Sequence, residues 1–135
     1  MFSNKTNKAS PIDSLIGAGT VITGDVQFTG GLRIDGTVKG NIKAVGEKPG
    51  TLVLSELAKI EGEIEVAHVV VNGSVAGPVR AREYLELMPK ARVTGDVTYK
   101  TIEIHVGAIV MGRMVHDGEA RNTEKVIEFK PVSGS

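Results

Sequence analysis

The 135-residue sequence contains no cysteine and no tryptophan, and only 4% of its residues are aromatic. The absence of cysteine excludes disulfide bonds and thiolate metal sites, which fits a reducing compartment. The scarcity of aromatic rings means that a core must be built from Val, Ile, Leu, Ala and Met, and this composition suits thin, repetitive packing. Apolar residues still make up 41% of the chain, so one domain with a core is expected.

Long apolar runs and an excess of one charge are also missing. No run approaches the roughly 18 residues of a membrane span, and the N-terminus lacks the apolar region of a secretory signal. Sixteen basic residues balance sixteen acidic ones, so we expect no nucleic-acid partner, which normally requires a basic surplus. Near-zero net charge also lowers the electrostatic barrier to self-association. We therefore expect a soluble, intracellular protein.

One short pattern recurs six times along the chain: a small residue, any residue, an apolar residue, any residue, Gly, any residue, and an apolar residue. The central glycines are Gly24, Gly40, Gly62, Gly77, Gly95 and Gly112. They are 16, 22, 15, 18 and 17 residues apart, and the longest interval contains the turn-rich insertion Gly46–Gly50. A repeat with a period near 17 residues is typical of a solenoid.

Apolar residues stand two positions before and two positions after these glycines, with mostly polar residues between them. This period of two indicates strands with one buried face, and the many β-branched residues agree. About 17 residues can hold three short strands with tight corners, and successive units would stack roughly 4.8 Å apart. The predicted inward core ladder consists of Ile22, Val26, Val38, Ile42, Ile60, Ile64, Val75, Val79, Val93 and Val97.

The pattern therefore predicts an all-β fold. We expect a parallel β-helix of about six windings over residues 15–116, with disordered tails at residues 1–14 and 117–135, because these tails are polar and aperiodic. An antiparallel sandwich with Asn72-Gly73 as a hairpin turn is the competing interpretation, but it does not explain the regular period. The best helical candidate, Leu54–Ile60, runs into a copy of the repeat, so we assign it to strand and turn.

Three segments resemble a known family, the bactofilins, which are polymer-forming cytoskeletal proteins of bacteria. They are Ile34–Ile42, Ala91–Val97 and the opening Met1-Phe2-Ser3. The resemblance covers about residues 15–116 and implies a right-handed β-helix of triangular section. It also implies filaments that form without nucleotide or any other cofactor, a location at the inner face of the cytoplasmic membrane, and a role in cell shape and in positioning cell-wall synthesis or hydrolysis enzymes.

The open ends of such a β-helix are candidates for self-association. Each end presents unpaired backbone groups and the edge of an apolar core, and such edges template further pairing unless they are capped. The sequence shows no amphipathic capping helix at either end, so we predict end-to-end stacking. The predicted polymerisation interface consists of Leu15, Ile16, Ile109, Val110 and Met114. Bactofilins tend to carry an aromatic residue at the position of Val110, and the resemblance therefore implies an interfacial role there.

The N-terminal tail has features of a weak membrane anchor. Met1 and Phe2 would insert at the membrane surface while Lys5 and Lys8 meet anionic lipid, at about 1 kcal/mol per lysine. A single anchor of this kind binds only marginally, but a polymer would present many anchors together. The residues alone favour an ordinary solvated N-terminus, whereas the resemblance to the Met-Phe start of bactofilins, with lysines nearby, favours the anchor.

Signals for catalysis and for ligands are weak. The histidines His68, His105 and His116 do not have the spacing of a metal-binding pair, and no phosphate-binding loop is present. We therefore predict no enzymatic activity, no metal and no cofactor. The rival hypothesis is a small acyltransferase that acts as a discrete trimer, because left-handed β-helix enzymes have windings of similar length and use a histidine base. Repeat spacings from 15 to 22 residues fit poorly with the strict hexapeptide repeat of those enzymes.

Overall fold

The computed structural model describes residues 10–118, and all regular elements among them are β-strands. In chain order they are β1 (Ile12–Ile16), β2 (Val21–Thr23), β3 (Val26–Phe28), β4 (Gly31–Ile34), β5 (Thr37–Lys39), β6 (Ile42–Ala44), β7 (Thr51–Leu54), β8 (Lys59–Glu61), β9 (Ile64–Val71), β10 (Ser74–Ala76), β11 (Val79–Leu87), β12 (Arg92–Thr94), β13 (Val97–Ile104), β14 (Ile109–Met111) and β15 (Met114–His116). The predicted all-β class is confirmed, and Leu54–Ile60 forms no helix, since β7 ends and β8 begins within it.

The strands stack on three faces, and all their pairings within the described part of the chain are parallel. Face 1 contains β1, β4, β7 and the second halves of β9, β11 and β13; face 2 contains β2, β5, β8, β10, β12 and β14; face 3 contains β3, β6, the first halves of β9, β11 and β13, and β15. Each face therefore has six rungs, and residues 10–118 make six windings. The parallel β-helix is confirmed and the antiparallel sandwich is wrong.

The core is made of apolar columns that run through the windings. Of the ladder positions, those from the second winding to the fifth are at most 2% exposed: Val38, Ile42, Ile60, Ile64, Val75, Val79, Val93 and Val97. Face 1 adds a second buried set, which the repeat pattern did not include: Leu32, Ile34, Leu52, Leu54, Val69, Val71, Leu85 and Leu87. Burying one such side chain contributes roughly 1.5–3 kcal/mol before the entropy of ordering is subtracted, so each winding depends on its neighbours.

The corner between faces 2 and 3 is formed by the six repeat glycines. From Gly40 onward, a Cβ atom on each of them would overlap the backbone carbonyl of the glycine in the preceding winding. The close approach is held by backbone hydrogen bonds across the windings, such as Gly40 N–H to the carbonyl of Glu61 at 3.0 Å. Only glycine fits this column, because any side chain would separate the windings.

Replacing Gly40 by alanine tests this steric requirement. Gly40 has no positive φ, so the substitution changes the contact with Gly24 without adding backbone strain. We expect a loss of about 1–3 kcal/mol, the typical cost of overpacking, measured as a lower unfolding temperature by circular dichroism. Gly17→Ala is the matched control, because a Cβ at Gly17 meets no atom within 4 Å and its φ is not positive. Equal unfolding temperatures for the two variants would contradict the account.

Candidate polymerisation surfaces

Exposed large apolar side chains are concentrated in the first and last windings. Among the described residues, the first winding contributes Ile12, Leu15 and Val21, and the last contributes Ile104, Val106, Ile109, Met111, Met114 and Val115. The remaining exposed apolar side chain, Leu57, lies at the corner between β7 and β8. The exposed apolar surface therefore lies mainly at the two ends of the β-helix.

The first rim is the free edge of the first winding. Its strands β1, β2 and β3 each have one partner, β4, β5 and β6 respectively, so the backbone groups on their other edges have no strand partner within the described chain. Four inward side chains close the core at this end and are only partly buried: Ile16, Ile22, Val26 and Phe28. The first rim thus combines an open strand edge with an apolar centre.

The N-terminal segment runs away from this rim along the outside of the β-helix. Ser10 donates from its backbone N–H to Thr51 Oγ1 at 3.0 Å and from its hydroxyl to the carbonyl of Pro49 at 2.6 Å. Thr51 is the first residue of the third winding, and Pro49 lies in the insertion just before it. The carbonyl of Pro11 lies where a Cβ of Gly31 would be, so this glycine lets the segment pass close to the sheet. The segment from Ser10 to Pro11 therefore does not cover the first rim.

The last rim is the free edge of the sixth winding. There β14 pairs only with β12, and β15 pairs only with β13. Four inward side chains face this rim: Ile102, Ile104, Val110 and Met114, whose register partners are the buried Leu85, Leu87, Val93 and Val97. Ile104 is 50% exposed and Met114 is 42% exposed, whereas their partners are fully buried. The difference arises because no seventh winding covers them.

The sixth winding is also anchored by polar contacts at the glycine corner. Asp96 accepts hydrogen bonds from the backbone N–H of Arg113 at 2.9 Å and from its guanidinium at 3.0 Å. The backbone bond and then the side-chain bond hold the pKa of the Asp96 carboxyl below its ordinary value, so the carboxylate stays ionised at neutral pH. In the first windings Asp25 caps the N–H of Asn41 in the same way. These outward carboxylates therefore bind the backbone of the next winding.

The structure divides the five residues of the predicted interface into two groups. Ile16, Val110 and Met114 face inward at the rims, in register with Ile34, Val93 and Val97. Leu15 and Ile109 point outward, since they pair with the outward positions Arg33 and Arg92, and they flank the rims from the outer surface. The sequence argument did not include the rim residues Phe28, Ile102 and Ile104.

The remaining sequence-derived candidates fall elsewhere. Met1, Phe2, Lys5 and Lys8 lie outside the described residues, as does most of the tail at residues 117–135. His68 lies on face 1 in the fourth winding, and His116 is the last residue of β15. The Nε2 atom of His116 lies 2.9 Å from the carbonyl of Lys100, and its ring is 5.9 Å from that of Tyr99. His105 follows β13, where it contacts two glutamates.

A parallel β-helix with apolar, unpaired rims is the architecture of a self-stacking solenoid. Comparison with known proteins agrees: a model of the bactofilin family, described as polymer-forming cytoskeletal, matches residues 14–115. The chain belongs to the bactofilin family, as the sequence resemblance predicted. The described residues contain no helix long and apolar enough to cross a membrane.

Two curated relatives are bactofilins of Myxococcus xanthus (strain DK1622). Bactofilin BacO is 30% identical over 128 residues, which cover 89% of this chain and 98% of the relative. Bactofilin BacP is 25% identical over 113 residues, which cover 83% of this chain and 45% of the relative. No solved structure shows a significant match to this chain.

Substituting Val110 by arginine tests the last rim. A guanidinium at this inward position would be buried by a stacked copy, and burying an unpaired charge costs several kcal/mol. We expect Val110→Arg to abolish filaments in sedimentation and negative-stain electron microscopy. Met111→Arg is the matched control, because Met111 lies in the same strand but points outward and is 65% exposed. Filaments like those of the wild type from a folded Val110→Arg protein would remove this position from the interface.

Proposed function

We propose that the protein is a bacterial cytoskeletal scaffold whose β-helices stack end to end into filaments without nucleotide. The observation that carries this proposal is that the inward apolar columns end uncovered at two unpaired rims, where Ile104 and Met114 are about half exposed. Stacking would bury the inward side chains of both rims and would pair the free strand edges of both copies. In this proposal the protein has a structural role and is not an enzyme.

The free energy from burying the rims is of the same order as the entropic cost of association. Each inward side chain that a second copy covers contributes up to roughly 1.5–3 kcal/mol, less the share already buried. Each rim presents four such side chains, and the strand edges add backbone hydrogen bonds. The opposing cost is the loss of translational and rotational freedom, about 4–15 kcal/mol. Because the two terms are comparable, assembly would depend on protein concentration, on partners or on the tails.

The proposed route to the membrane is the N-terminal tail. Ser10 is fixed against Thr51 and Pro49 on the side of the β-helix, so the tail is joined to the side of the β-helix and not to either rim. Successive subunits would present Met1, Phe2, Lys5 and Lys8 in a row along one side. Weak individual anchors would then act together on anionic lipid at the inner face of the cytoplasmic membrane.

We further propose that the membrane-bound filament positions enzymes of cell-wall synthesis or hydrolysis and so influences cell shape. The support for this role is membership of a polymer-forming cytoskeletal family together with the proposed lateral array. A filament that repeats one surface many times would raise the local concentration of any partner bound to that surface.

Negative-stain images of the purified chain in nucleotide-free buffer separate the scaffold from the rival acyltransferase. Stacking through two rims continues without limit, so we expect long filaments whose mass rises with protein concentration. Compact particles of fixed, trimeric size would contradict the scaffold and favour the discrete enzyme. Added ATP or GTP should leave filament length unchanged.

Deleting residues 2–8 tests the membrane anchor. We expect the deletion variant to lose sedimentation with liposomes that contain anionic lipid, while it still forms filaments. Lys5→Glu/Lys8→Glu should have the same effect, because it reverses the charges that meet the lipid. The control Lys39→Glu/Lys59→Glu makes an equal change of charge at exposed positions of face 2 and should bind like the wild type. Unchanged liposome binding by the deletion variant would rule out the anchor.

The contribution of filament assembly to membrane binding can be measured separately. The assembly-deficient Val110→Arg protein keeps its N-terminal tail, so we expect it to bind the same liposomes much more weakly than filaments do. Equal binding by the non-assembling variant would show that one anchor suffices.

A further inference from the structure

Three side chains with metal-binding atoms converge on the outside of face 1. Glu86 in β11 and Glu103 in β13 are register partners in neighbouring windings, and His105 follows Glu103 by two residues on the same side. The Nε2 atom of His105 lies 2.7 Å from Glu86 Oε2 and 3.2 Å from Glu103 Oε2. The ligand atoms of all three residues lie within 4.8 Å of one another. The cluster therefore spans the fifth and sixth windings.

No lysine or arginine of the described part of the chain forms an ion pair with Glu86 or Glu103. Ion pairs of lysine and arginine within residues 10–118 join Arg33 to Asp35, Lys90 to Glu56 and Arg113 to Asp96. Glu86 and Glu103 instead share the single imidazole of His105. Two neighbouring carboxylates with one imidazole keep a net negative charge in either protonation state of that ring. This surplus attracts a small cation to the space between them.

A fourth residue orients one of the carboxylates. The hydroxyl of Tyr84 donates to Glu103 Oε1 at 2.9 Å. A carboxylate oxygen only accepts, so the phenol O–H is the donor in this contact. With Oε1 engaged, Glu103 directs its other oxygen toward His105. Such outer hydrogen bonds fix the direction of a ligand and strengthen metal binding.

We propose that Glu86, Glu103 and His105 form a zinc site that bridges the last two windings. Zinc accepts one imidazole and two carboxylates readily, whereas Mg²⁺ and Ca²⁺ prefer oxygen ligands alone. Tetrahedral ligands at about 2.0–2.2 Å from zinc are roughly 3.4 Å apart, so the separations of 2.7 and 3.2 Å need to open only slightly. The side chains of the three residues are 23–54% exposed, so the ion can enter and a water molecule can take the fourth position.

Zinc binding by untagged protein, followed by competition with a chromogenic chelator and by calorimetry, tests the site. We expect one Zn²⁺ per chain in the wild type and at least a tenfold weaker affinity in Glu86→Gln and in His105→Ala. Tyr84→Phe should weaken binding by about 10–100-fold, since it removes only the outer hydrogen bond. His116→Ala is the matched control, because it removes another histidine of the sixth winding and should bind zinc like the wild type.

Thermal unfolding provides a second readout. Zinc should raise the unfolding temperature of the wild type and of His116→Ala, because it links two windings, and it should leave that of His105→Ala unchanged. Circular dichroism of each variant without metal shows whether it is folded. The proposal is overturned if the wild type binds no zinc, or if folded His105→Ala and His116→Ala bind it equally.

Discussion

The structure depends on one steric constraint, the close approach of successive windings at the glycine corner. The carbonyl of each corner glycine occupies the space that a Cβ in the next winding would need. Because glycine has no Cβ, the windings can approach closely here, and backbone hydrogen bonds connect every winding to the next at 2.8–3.0 Å along this corner. The strands on either side are then held parallel and in register, and the apolar side chains two positions from each glycine fall into continuous columns.

The interaction that stabilises the interior also produces the two rims. An inner winding has a neighbour above and below, whereas the first and sixth windings have one each. Ile104 and Met114 occupy the same columns as Leu87 and Val97 but are about half exposed, because the described chain has no further winding to cover them. In the proposed filament a second copy would take the place of the missing winding. Assembly would then extend the contacts that already fold the chain, and no separate binding site would be needed.

The corners between other faces and the outer surfaces can differ from winding to winding, because the stacking constraint acts only on the backbone at the glycine corner and on the interior. The corner between faces 1 and 2 contains two residues after Ile34 but four after Leu54. The insertion Val45–Gly50 extends another corner, and the entering N-terminal segment binds there through Ser10. The proposed zinc site likewise uses outward positions. Individual features of this protein can therefore vary without disturbing the core.

The repeat alone was sufficient to predict the class of fold and the number of windings. The recurring glycine reflects a corner that has no room for a Cβ atom, and the period of two reflects a strand with one buried face. Both requirements are local, so each seven-residue copy of the repeat contains them. Family membership could also be predicted, because Ile34–Ile42 and Ala91–Val97 contain these same requirements. The sequence therefore determined the β-helix and the core columns on either side of the glycine corner, from interactions that are repeated at every winding.

The tertiary structure alone decided how individual side chains are grouped. Leu15 and Ile16 look equivalent in sequence, yet only Ile16 faces the core, because its orientation depends on the register with Ile34. His105 contacts Glu86, which is 19 residues away in the sequence. This contact depends on the lengths of the corners, which vary from winding to winding. Contacts between windings depend on which residues are register partners. Because the corners differ in length, these partners cannot be found by counting residues along the sequence.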